Sequence, residues 1–132
     1  MLKSIVTAVL LPATALPIAP LANAEPSGDT GSTWAAIAYS TTTGKARLEY
    51  NAPSQLEAQN DAVSACNSLA KDNSCKVVAF SDHCVSLATD PDPNNNAGYS
   101  GGHGATLAAA DADAMKGAES DWTIEGHGCN TA

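Results

Sequence analysis

Lys76-Val77-Val78-Ala79-Phe80-Ser81-Asp82-His83-Cys84 in mid-chain and Asp121-Trp122-Thr123-Ile124-Glu125-Gly126-His127-Gly128-Cys129 near the end decide the reading of the fold. Each is nine residues long and ends on cysteine. In the first, Lys76 to Phe80 reads as a buried-type strand, Ser81 to His83 as a turn, and Cys84 to Ala88 as the next strand. In the second, Asp121 to Glu125 reads as a last strand, with Trp122 and Glu125 on opposite faces.

A helix precedes each stretch. Ser54-Gln55-Leu56-Glu57 is a capping box, in which the serine oxygen takes a free helix N–H and the glutamate reaches back. Ala58, Ala62, Ala65, Cys66 and Leu69 then share one face, and Asp72-Asn73-Ser74 ends the element. Thr106 caps a second, Ala-rich helix from Leu107 to about Ser120. Asp61 to Ala65 aligns with Asp113 to Gly117 inside the two helices.

Further out, Trp34-Ala35-Ala36-Ile37-Ala38-Tyr39 suits a strand covered on both faces. Ser40 to Lys45 is turn chemistry around Gly44. In Ala46 to Tyr50, Ala46, Leu48 and Tyr50 alternate with Arg47 and Glu49, completing a hairpin. Ala97 to His103 is a weaker, glycine-rich strand around Tyr99. The order ββα, β occurs twice and suggests an internal duplication. The expected fold is α+β: two pseudo-repeated ββα(β) halves building a small antiparallel or mixed sheet, or a barrel, with two helices packed on it.

Cys66, Cys75, Cys84 and Cys129 are the only cysteines, with gaps of 9, 9 and 45 positions. Structural zinc wants gaps of about two to four residues within each pair, so the spacing favours disulfides. Cys84 and Cys129 hold equivalent places in the repeat, and a pseudo-twofold axis would bring them together. That leaves Cys66 to bond Cys75.

The start of the chain has the three parts of a secretory signal: Lys3, an apolar run from Ile5 to Leu21, and Ala22-Asn23-Ala24. Pro12, Pro17 and Pro20 interrupt the run, which argues against a spanning helix. Cleavage is expected between Ala24 and Glu25, leaving 108 of the 132 residues with no stable membrane insertion. Residues 25–33 read as a flexible Gly/Ser/Pro leader, and residues 34–132 as a single domain. The expected location is extracellular or in the cell envelope.

The net charge is −8, and loss of Lys3 with the signal makes it −9. Such a surface repels phosphate backbones and excludes nucleic acid as a natural partner. It also disfavours anionic membrane surfaces.

Four constellations bear on chemistry. His103 and His127, with Asp82 or Glu125, are the candidates for a metal or acid–base site, although no H-E-x-x-H-type pattern is present. Gly98-Tyr99-Ser100-Gly101-Gly102 matches G-x-S-x-G, making Ser100 the candidate nucleophile, with Asp121 or Glu125 and then His127 in serine–acid–histidine order. The context lacks the buried strand before, and the helix straight after, that a nucleophile elbow needs. Asp90, Asp92 and Asn94 alternate like the start of a calcium loop, but Asn95 and Gly101 stand where glycine and glutamate belong. Gly101-Gly102-His103-Gly104 ahead of a helix matches no phosphate loop. No cofactor motif is present. Trp34, Tyr39, Tyr50, Phe80, Tyr99 and Trp122 are the only aromatics. Most are expected in the core, and one or two exposed at an edge would mark a protein-binding patch.

Trp34 to Ser40, Cys75-Lys76-Val77-Val78-Ala79-Phe80 with Cys84, Tyr99 to Ala110, and Cys129-Asn130 together resemble a family of small secreted actinobacterial, mycobacterial-type proteins, domain-of-unknown-function family 4189. The resemblance runs from about Trp34 to Asn130. It implies export, disulfides and the repeated ββα plan, and it transfers no catalytic residue. One departure is the hairpin strand Ala46 to Tyr50, which is less aromatic than in many relatives.

The leading functional reading is a secreted, non-enzymatic module that binds a protein or cell-envelope partner. The alternatives are a metal-binding protein or hydrolase using His103 and His127, and a secreted inhibitor presenting the loop Asp90 to Asn96.

Overall fold

The computed structural model describes residues 33–131. The signal at residues 1–24, its cleavage point and nearly all of the leader lie outside the described residues. The elements are β1 (Trp34–Tyr39), β2 (Ala46–Ala52), α1 (Gln55–Ala70), β3 (Lys76–Ser81), β4 (Cys84–Thr89), β5 (Tyr99–Gly104), α2 (Leu107–Lys116) and β6 (Thr123–Cys129).

The strands form two three-stranded antiparallel sheets, ordered β2-β1-β3 and β5-β4-β6. The two halves share element order and strand order. Neither sheet closes on itself, so the single sheet or barrel expected from the sequence gives way to two sheets facing each other. The reason lies in the central strands. β1 is apolar throughout, β4 is apolar except for Ser86 and Thr89, and nearly every residue in both is buried. Each is therefore covered on both faces, by a helix on one side and by the other sheet on the second.

The core divides accordingly. Ala36 and Ala38 of β1 pack with Ala58, Ala62 and Cys66 of α1. Ala35, Ile37 and Tyr39 face the other way and pack with Ala79, Val85 and Leu87 between the sheets. Small side chains let each helix lie close to its sheet. At Gly102 of β5 the approach is closest: a Cβ there would stand 2.2 Å from the Ala114 nitrogen and 2.5 Å from the Ala110 oxygen of α2.

Both helices start on a capped turn. Ser54 Oγ accepts from the Glu57 N–H at 3.1 Å, and Thr106 Oγ1 from the Ala109 N–H at 3.1 Å. α1 ends at Lys71, which adopts φ 63° and donates its N–H to the Asn67 carbonyl. Cys66 bonds Cys75, tying α1 to the start of β3, and Cys84 bonds Cys129 across the paired strands β4 and β6. Loops of these lengths are worth about 2.7 and 4 kcal/mol in the chain-entropy picture. Against a typical total of about 5–15 kcal/mol, that is a large share for a core built mainly of alanine.

Several details differ from expectation. Leu69 is 45% exposed and Ala65 is only half-buried, because the α1 stripe that meets the sheet is narrow and made of Ala58, Ala62 and Cys66. α2 stops at Lys116, short of Ser120, where Gly117 packs against the Ser100 hydroxyl. β6 begins at Thr123 and runs through Gly126 and Gly128, so Asp121 and Trp122 lie in the preceding turn. Glu125 is the extra residue where the pairing shifts between Leu87↔Gly126 and Ala88↔Ile124, which is a bulge and breaks the simple alternation.

Candidate functional site

The register of β4 separates His103 from His127. Val85 pairs with His103, and Ser86 with His127. Neighbouring residues of a strand point to opposite faces, so His103 looks toward the first sheet and His127 toward α2. The two candidate ligands are not brought together. Among the described residues, no group of three or more His, Cys, Asp or Glu side chains is placed to hold a metal ion.

His127 instead meets Asp111, a residue the sequence reading did not single out. Its Nδ1 lies 2.9 and 3.0 Å from the two Asp111 oxygens, and Ser86 Oγ donates to Asp111 Oδ1 at 2.7 Å. Ser86 is fully buried, while His127 keeps 42% of its side chain exposed. The ring turns Nδ1 to the carboxylate, with Nε2 on the opposite side of the imidazole. The carboxylate stands between serine and histidine, so the serine proton points to Asp111 and not to a base. The order is not that of a serine nucleophile activated by histidine.

The other candidates stand apart. Ser100 lies within β5, paired with Ala88, seven positions before α2 begins at Leu107. Asp82 accepts from the neighbouring His83 ring at 2.8 Å on an exposed turn. Glu125 Oε1 accepts from Thr89 Oγ1 at 3.2 Å. The His103 backbone N–H donates to Asp113 Oδ2 at 3.0 Å. That hydrogen bond is the main cause that lowers the Asp113 carboxyl from its ordinary value, helped by the His103 and Lys116 charges.

The loop at Asp90–Asn96 spends its oxygens on itself. Asp90 Oδ1 accepts from the Asp92 N–H, Asp92 Oδ1 from the Asn94 N–H, and Asp90 Oδ2 from Asn95 Nδ2. Tyr39 anchors it by donating its hydroxyl to the Asn96 carbonyl at 2.8 Å. Burial, with a smaller contribution from Glu125, raises the Tyr39 phenol from its ordinary value.

An apolar recess runs along β3. A groove of about 420 Å³ is lined by the consecutive residues Val77 to Asp82, with Trp34 on one side and His103 on the other. Five successive residues of one strand can line a single groove only if it follows the strand's edge, and β3 is an edge strand of its sheet. The Trp34 and Phe80 rings lie 6.4 Å apart, and Phe80 is 41% exposed. The expectation that most of the six aromatics lie in the core does not hold: only Tyr39 is buried, whereas Tyr50, Phe80 and Tyr99 are exposed, each on an edge strand.

Comparison with known proteins agrees with this architecture. The NMR structure of Rv1813c from Mycobacterium tuberculosis superimposes with a TM-score of 0.58 at 26% identity, covering 85% of this chain and 97% of that one. No curated protein matches. The family described as "Domain of unknown function (DUF4189)" matches residues 34–131, the whole run from β1 to the C-terminal segment. The chain belongs to the DUF4189 family.

Proposed function

We propose that the protein acts after export, as a non-enzymatic binding module that takes an extended apolar segment of a partner protein along the part of the β3 edge that is neither paired with β1 nor packed on Gly101 of β5. The groove beside Trp34 and Phe80 carries this reading. An edge strand offers unpaired N–H and C=O groups to an added strand, and flanking pockets read alternate side chains. Aromatic residues at such a position are typical of binding hot spots. The two disulfides and the signal-like start support a site of action outside the cytoplasm. Among the described residues, no helix is long and apolar enough to cross a membrane. The shared order of the two halves supports reading them as an internal repeat.

The test is a randomised-peptide selection against the disulfide-bonded protein, followed by amide shift mapping with the selected peptide. Binding with shifts along Val77 to Ser81, lost in Phe80→Glu, is the expected result. Turnover of any envelope substrate that is lost in His127→Ala would replace this reading with an enzymatic one.

A further inference from the structure

A second recess opens on the other flank of the molecule, where β2 and β6 face each other. It measures about 340 Å³. Buried Ile37 and Leu87 lie at its base, with Leu48 from β2 and the exposed Leu69 from α1 along its wall. Lys45 and Arg47 line the same cleft.

Three observations give this cleft a ligand chemistry. The first is charge. The described residues hold five Lys and Arg in a chain of net charge −8, and two of the five are here. Neither forms an ion pair among the described residues. Two free cations side by side in an acidic protein are complementary to a ligand's anionic head. Glu125 also lines the cleft, from β6, where its Oε1 accepts from Thr89 Oγ1 at 3.2 Å. The head therefore belongs on the β2 side, away from that carboxylate. The second is apolarity. Ile37, Leu48 and Leu87 meet on the inter-sheet face of β2, while Leu69 of α1 lies toward its other face with Arg47, so the cleft passes round the edge of β2. The third is room. Gly126 in the opposite wall carries no side chain, and a Cβ there would meet nothing within 4 Å. The volume is near the lower end of the about 300–1,000 Å³ seen for ligand pockets, which suits one short chain and not two.

We propose that this cleft binds a single-chain anionic amphiphile of the fatty-acid type. Its head sits between Lys45 and Arg47 on the α1 side of β2, near Leu69, and its chain passes round the edge of that strand over Leu48 and Leu87 toward Gly126. Guanidinium binds a carboxylate through two parallel N–H donors, and lysine adds a point charge. This site is separate from the β3 groove and does not depend on the reading given to it.

The test titrates the disulfide-bonded protein with decanoate below its aggregation concentration, with decanol and decyltrimethylammonium as matched controls. Saturable one-to-one binding is expected, with amide shifts at residues 44–48 and at Gly126. Decanol should bind about tenfold more weakly or worse, the loss of one charge-assisted contact, and the cation not measurably. Lys45→Glu/Arg47→Glu should abolish binding of decanoate. Gly126→Leu should block it by filling the chain's path while leaving the fold's amide spectrum otherwise intact. Absence of saturable binding, equal binding of decanol, shifts confined to other surfaces, or undiminished binding by Gly126→Leu would each overturn the proposal.

Discussion

Asn51 is tied across the two halves of the fold to Asn130, and through its own side chain to the following Thr131. The Asn51 N–H donates to Asn130 Oδ1 at 2.8 Å, and Asn51 Oδ1 accepts from the Thr131 N–H at 2.8 Å. Asn130 Nδ2 also donates to the Thr33 carbonyl at 3.0 Å, so one side chain joins both ends of the domain to β2. Asn51 takes φ 63° to present its backbone, a conformation asparagine accepts more readily than most residues. Asn130→Ala leaves two groups, the Asn51 N–H and the Thr33 carbonyl, without their partner and should cost about 1–3 kcal/mol, read by denaturant unfolding. Asn51→Gly keeps the φ and loses only the side-chain acceptor. It should cost less than Asn51→Ala, which adds about 1–2 kcal/mol of left-handed strain.

Two glycines separate packing from composition. Gly102→Ala would drive its Cβ into the α2 backbone, where no flexible side chain can yield. We expect a loss of about 3 kcal/mol or failure to fold, at the upper end for overpacking. Gly126→Ala meets nothing within 4 Å and should stay within about 0.5 kcal/mol of the parent. Thermal melts of the two variants check the contrast.

Asp113 gives a pH signature. Its carboxyl is lowered in the folded protein, first by the His103 N–H and then by nearby positive charge. A lowered carboxyl contributes stability above its unfolded value, and the contribution disappears as pH falls through the folded value. Asp113→Asn should therefore lower the melting temperature slightly at neutral pH. The gap should close in strong acid, where the parent carboxylate is also protonated. The group is exposed, so the effect is small and should shrink further in salt.

Much of the fold is written locally. The six apolar residues of β1, the cap at Ser54 and the cap at Thr106 each specify their element without help. β6 is less legible because Gly126 and Gly128 are poor strand formers taken up by pairing with β4, whereas Asp121 and Trp122 only look extended. Whether the strands make one sheet or two depends on long-range order that no single run encodes. The same holds for the sites. Phe80 sits inside an apolar run and reads as core, and only the edge position of β3 leaves it exposed. Asp111 reads as a solvated helix residue, and only the cross-strand pair Ser86–His127 beneath α2 gives it partners.

Export and stapling have a direct readout in mass. Protein recovered from culture medium should have the mass of residues Glu25 to Ala132 less four hydrogens, two for each bridge. Reduction should restore the four hydrogens and lower the melting temperature by tens of degrees, since about 4–8 °C accompanies each kcal/mol in a domain of this size.

The β3 edge is the central claim, and amide shift mapping with a selected peptide tests it most directly. Shifts should follow Val77, Val78, Ala79, Phe80 and Ser81 with new hydrogen-exchange protection along that strand, and Phe80→Glu should remove them. Binding that spares β3 and persists in Phe80→Glu would contradict the account.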